Sequence, residues 1–107
     1  MAVEEVTDSS FDKEVINETE KLVLVDFWAE WCGPCKMLAP VIKSLSEKME
    51  DSVKFLKLDT DANSTSAQKF QITSIPCCIL FKEGKEVHRI IGFRNESAMS
   101  EEITKQL

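Results

Sequence analysis

Glycine and proline are scarce in this 107-residue chain, three of each, where average usage would give about 12% of positions to the two together. With so few chain-breakers each one has a task, and no tandem repeat, low-complexity tract or inter-domain linker is visible. Positive charge is also short. Thirteen Lys and Arg stand against nineteen Asp and Glu, for a net charge of −6, and the acids are spread along the chain. Without a basic face, nucleic acid and anionic membrane are excluded as partners. No apolar run is long enough to cross a bilayer, and the longest contains Asp26; the start, Met1-Ala2-Val3-Glu4-Glu5, is acidic where a secretory leader is basic. A cytoplasmic protein is expected, in which four cysteines point to redox or metal chemistry rather than to a framework of structural disulfides. Histidine occurs once, as His88, expected to face solvent, and no signature supports a Cys–His protease built on it. The length suits one domain over residues 1–107.

What the chain does have is a run of apolar residues, Leu22-Val23-Leu24-Val25-Asp26-Phe27-Trp28-Ala29, read as a strand buried on both faces. Before it, residues 3–6 suit a short strand, and Asp8 or Ser9 is placed to cap a helix to about Asn17 with Phe11, Val15 and Ile16 on one side. After it, Met37, Leu38, Val41, Ile42, Leu45 and Met49 recur at helical spacing, with Pro40 inside, where a kink is expected. Residues 53–58 read as a strand and 63–70 as a weak helix, since Ser and Thr are poor formers. Strands at 77–82 and 86–91 are joined at Glu83-Gly84-Lys85 as a hairpin, and Asn95 caps a last helix carrying Met99, Ile103 and Leu107. The order β-α-β-α-β-α-β-β-α predicts an α/β fold, a mixed sheet with helices on both faces.

Between the buried strand and the long helix lies Trp31-Cys32-Gly33-Pro34-Cys35. Two cysteines three apart on the first turn of a helix share a face, so a small disulfide ring can open and close without refolding. Cys32, at the helix N-terminus, meets unpaired amides and the positive end of the macrodipole, which favour thiolate and suit a nucleophile. Cys35, one turn inside, suits the resolving role. Gly33 permits the tight turn and Pro34 sits where a missing N–H costs little. A zinc half-site and a pair of inert core thiols are the competing readings of the motif alone. Asp26 is the second anomaly, because a carboxylate in an apolar strand must be paired or protonated. Lys57, on another apolar strand, is a partner for it, directly or through water. Burial should raise the carboxyl's pKa and make it a proton acceptor for Cys35.

With these residues, Ala39-Pro40, Lys57-Leu58-Asp59, Ser74-Ile75-Pro76, Phe81-Lys82-Glu83-Gly84 and Gly92, the chain resembles the thioredoxin family along essentially its whole length; residues 25–36 match that family's active-site signature nearly letter for letter. The resemblance implies a thioredoxin fold, with about five strands flanked by about four helices. It implies Cys32 as attacking thiol, Cys35 as resolving thiol, Asp26 and Lys57 as a buried proton-transfer pair, and Pro76 as a cis-proline beside the disulfide. Only about 5% of X–Pro bonds are cis, so the residues alone leave trans as the default. Trp31, Gly33, Pro34, Ile75, Pro76 and Gly92 would form an apolar docking surface, with Ile75 offering its backbone to an extended client segment. Isomerase-like and oxidase-like relatives carry histidine between the cysteines; Gly33-Pro34 does not, so a reductant is implied.

The expected protein is thus a redox carrier with protein-disulfide reductase activity. It would hold no metal and no cofactor beyond the Cys32–Cys35 couple, act as a monomer, and be re-reduced by a flavoprotein thioredoxin reductase using NADPH. Its clients would be disulfide-bearing proteins such as ribonucleotide reductase, peroxiredoxin or methionine sulfoxide reductase. A thioredoxin-fold binding or chaperone-like subunit and a disulfide isomerase or oxidase are the alternatives. Cys77 and Cys78 depart from the family, where a threonine and an aliphatic residue are usual, and Phe93 is bulkier than usual and would reshape the docking rim. Neighbouring strand residues point to opposite faces, so Cys77 and Cys78 are ill placed to complete a four-thiolate site with Cys32 and Cys35. They read as small buried hydrophobes or as regulatory thiols.

Overall fold

The computed structural model describes residues 3–107; Met1 and Ala2 of the acidic start lie outside them. The apolar run forms β2 (Leu22–Trp28), buried at every position but Trp28. It takes the centre of a five-stranded sheet with β1 (Glu4–Glu5), β3 (Val53–Asp59), β4 (Cys77–Lys82) and β5 (Lys85–Ile91), in the order β1-β3-β2-β4-β5. β1 and β2 run parallel to β3, while β4 is antiparallel to both β2 and β5. The mixed α/β architecture expected from the element order is present.

Alternation along the strands sorts the core into two layers. On one face Leu22, Leu24, Phe55, Cys78, Leu80 and Ile90 pack under α1 (Gly33–Lys48) and α3 (Glu96–Thr104). On the other, Val23, Val25, Phe27, Leu58, Cys77, Ile79 and Phe81 meet Phe11, Val15 and Phe70, beside α2 (Ser64–Lys69). Pro40 lies inside α1, which continues past it to Lys48. Asn95 caps α3 as expected, its side-chain oxygen accepting from the Ala98 amide at 2.8 Å.

The first helical segment differs from expectation. It is a π-helical turn over Asp12–Ile16 that begins at Phe11, with the Asn17 amide donating to the Asp12 carbonyl five residues back. Neither Asp8 nor Ser9 caps it. The Asp8 carboxylate instead accepts from the Ser66 and Thr65 amides at 2.8 and 3.3 Å, and the Asp8 amide donates to Asn63 Oδ1 at 2.9 Å. An Asx carboxylate satisfies whichever orphan amides the fold brings to it, and here those belong to α2, whose own Asn63 makes no side-chain cap.

The β4–β5 turn places Glu83 and Gly84 at φ 51° and 81°, positive at both central residues as a tight two-residue hairpin turn requires. A Cβ on Gly84 would lie 2.6 Å from the Ile16 carbonyl oxygen. Gly84→Ala therefore combines backbone strain with a clash against main chain, and is expected to lower stability by roughly 1–3 kcal/mol. Urea denaturation should show a lower midpoint at unchanged slope.

Candidate active site

Where β2 ends, the chain turns through Ala29, whose carbonyl accepts from the Cys32 amide at 3.1 Å. Cys32 is the N-cap of α1, with extended backbone, and Pro34 occupies the first helical turn. The Cys35 amide donates to Cys32 Sγ at 3.2 Å, so the sulfur fills the place that an oxygen takes in an ordinary cap. Cys32 and Cys35 are joined in a disulfide, with Cα atoms 5.3 Å apart. As residues they are 5% and 3% exposed. Trp28 and Ile75 pack against them.

Two further loops converge on the motif. The Ile75–Pro76 peptide is cis, and the Ile75 carbonyl oxygen lies 3.8 Å from Cys32 Sγ. The Pro76 carbonyl accepts from the Gly92 amide at 2.8 Å, and Gly92, at φ +92°, takes a backbone shape that a side chain would strain. The structure thus brings Cys32, Ile75, Pro76 and Gly92 together. Gly33 and Pro34 are exposed at the start of α1, Trp31 is 70% exposed, and Phe93 is exposed beside Gly92. The Trp31 indole N–H donates to Asp61 Oδ2 at 3.0 Å. Asp61 was not legible as a site residue, because it lies thirty residues on in a turn held by the Asp59 carboxylate.

Behind the disulfide, strand register makes a row. Asp26 pairs with Lys57 across β2–β3 and with Cys78 across β2–β4, and paired residues present their side chains on one face. Asp26 is buried, and its Oδ1 has no hydrogen-bond partner. Burial pushes its pKa up to about 7, against the pull of the Lys57 charge and the Cys78 thiol. Lys57 makes no hydrogen bond to Asp26 among the described residues; its Nζ lies over the Trp28 ring, 5.7 Å from the centroid. A cavity of about 110 Å³ is lined by Asp26, Trp28, Cys35, Lys36, Ala39 and Lys57. A second, of about 260 Å³, has Asp26, Lys43 and Lys57 on its wall.

Cys77 and Cys78 are free thiols on opposite faces of β4, as alternation requires. Cys77 pairs with Phe27 in register and joins the core layer of Phe11. Burial pushes Cys77 up to about 11 and Cys78 well above the usual thiol range. Among the described residues no group of three or more His, Cys, Asp or Glu side chains is placed to hold a metal, and no helix is long and apolar enough to cross a membrane. His88 departs from expectation: it is half-buried, with Nε2 2.8 Å from Glu102 Oε1, because α3 lies over its strand.

A reversible disulfide at the N-terminus of the helix that follows a central strand, backed by a buried carboxyl, defines a thiol–disulfide oxidoreductase. The comparisons with known proteins are more specific. The model of the family described as Thioredoxin matches residues 2–105. Thioredoxin of Staphylococcus saprophyticus is 45% identical to this chain, and those of Staphylococcus haemolyticus and Staphylococcus aureus are 44% identical, each over 107 residues and the whole of both chains. The chain belongs to the thioredoxin family, and Cys32–Cys35 is its redox-active disulfide. Membership brings with it protein-disulfide reduction, a thioredoxin reductase as electron donor, and clients that carry disulfides.

Proposed function

We propose that the reduced chain attacks client disulfides through Cys32 and that Cys35, deprotonated by way of Asp26, resolves the product. The observation that carries this reading is the Cys32 sulfur in the N-cap position, receiving the Cys35 amide at 3.2 Å. A thiolate there gains a charge-assisted hydrogen bond and the field of α1. Its attack on a client disulfide forms a Cys32–client bond and expels one client sulfur as thiolate. Cys35 then gives its proton to Asp26 and attacks Cys32 Sγ, closing the ring and releasing the second client thiolate. The client gains two electrons, and the reductase later returns two to the Cys32–Cys35 pair.

The cavity shared by Cys35 and Asp26 has polar groups on its wall and room for water, so the proton can pass through one bridging molecule. Lys57 holds the carboxylate's charge within reach of neutral pH. Trp31, Gly33, Pro34, Ile75, Pro76 and Gly92 form the docking surface, with the Ile75 main chain pairing to an extended client segment. The protein works as a cytoplasmic monomer, needs no bound cofactor, and draws on NADPH through its reductase. Ribonucleotide reductase, peroxiredoxin and methionine sulfoxide reductase have the kind of disulfide it would reduce. Cys77 and Cys78 stay protonated, so neither takes part in exchange.

Cys35→Ser tests the division of labour. The variant should accumulate a stable mixed disulfide with a client, and peptide mapping should place the bond at Cys32. A bond at Cys77 or Cys78 would overturn the assignment.

A further inference from the structure

Thiol exchange as proposed leaves Cys78 without a task, yet β4 sets it directly across from Asp26. Both side chains are buried on the face covered by α1 and α3. A carboxylate oxygen in such a place needs a donor, because an unpaired buried charge is costly. The groups facing Asp26 are few. From β3 comes Lys57, whose ammonium lies over Trp28. From α1 come Cys35, Lys36 and Lys43, on the walls of the two cavities. α3 contributes the apolar Met99 and Ile103 to this layer, and β5 contributes Ile90, the register partner of Cys78. Asp26 Oδ1 remains unpartnered, and the thiol beside it is a donor with a free rotor.

We propose that Cys78 is a positioning residue for Asp26: its S–H donates to the ionised carboxylate and so lowers the carboxyl's affinity for the proton it takes from Cys35. The proposal rests on the reading of Asp26 as proton acceptor given above. Cys78 is suited to the task because burial and the neighbouring carboxylate both keep it protonated. It remains a donor whether Asp26 is charged or neutral. An aliphatic residue at this place would fill the same space and offer nothing to the oxygen.

The test follows the Asp26 carboxyl directly, by ¹³C NMR of labelled protein across pH, in wild type, Cys78→Val, Cys78→Ala and Cys78→Ser. The two apolar variants should move the titration midpoint up by about half to one pH unit, the scale of a weak donor's bond to a charged acceptor. Cys78→Ser keeps a hydroxyl donor and should titrate at or below the wild-type midpoint. An unmoved midpoint in both apolar variants overturns the proposal. The rate of mixed-disulfide resolution against pH is read in the same proteins, and its acid limb should move with the midpoint. A midpoint that moves while the rate profile stays fixed would uphold the Cys78–Asp26 bond and remove Asp26 from the role of proton acceptor.

Discussion

Cys32→Ser should reduce insulin disulfides no faster than the chemical reductant alone, a loss on the order of a thousandfold or more, the scale seen when a nucleophile is deleted. Several features combine to make the loss so large. A serine hydroxyl at the α1 N-cap can accept the Cys35 amide as the sulfur does, so the fold is kept. It is not ionised near neutral pH, however, and an oxygen cannot form a disulfide with a client. Cys35 is not placed to take over the attack, because it lies one turn inside α1, away from the N-cap position where an amide and the helix field favour a thiolate. Cys77 and Cys78 are not either, since burial holds both as thiols and exchange needs the thiolate. NADPH oxidation in the presence of thioredoxin reductase and insulin measures the same loss from the donor side. Activity retained in either assay would mean that another thiol carries the exchange.

Asp26→Asn should make the protein both more stable and slower. A solvated aspartate titrates at 3.8, whereas Asp26 in the fold is pushed up to about 7. Below about pH 4 the carboxyl is protonated in both states and burial carries no ionisation penalty. Between pH 4 and 7 the unfolded chain releases the proton and the native protein keeps it, so stability falls as pH rises and levels off above 7. The gap between 3.8 and about 7, at 1.36 kcal/mol per pH unit, amounts to about 4 kcal/mol. Asparagine resembles the protonated acid at every pH, so the variant should gain close to that amount at pH 8 and almost nothing at pH 4. Denaturant titrations at the two pH values check the sign and the size. With no proton acceptor behind Cys35, resolution should slow about a hundredfold at neutral pH, with the deficit narrowing at alkaline pH as hydroxide takes the proton. Equal stability at pH 8 would show that Asp26 is not held near neutrality.

Much of the site was legible because its residues violate local expectation. Asp26 stands out as a charge inside an apolar run, and Cys32 and Cys35 as a spacing that only a helix turn makes useful. β2 was clear from unbroken apolarity, and the hairpin from Glu83-Gly84. What stayed hidden depends on residues far apart in the chain. Asp8 has the chemistry of a cap, but the amides it serves belong to a helix more than fifty residues away. His88 meets Glu102 only because α3 folds back over β5. The pairing of Cys78 with Asp26 is a matter of strand register, which is decided by the sheet as a whole. The cis bond at Ile75–Pro76 likewise has no local signal that separates it from the commoner isomer.

The place of β2 at the centre of the sheet has a mechanical consequence. In the exchange proposed above a client hangs from Cys32 by a covalent bond, and a tug on it passes through the short Ala29–Trp31 link into the end of β2. That strand is laced along its length to β3 on one side and β4 on the other, so a pull along its axis loads many hydrogen bonds in shear together. An attachment at β1 or β5 would load one seam only. The covalent tether thus joins the chain next to a strand that is held by a neighbour on each side.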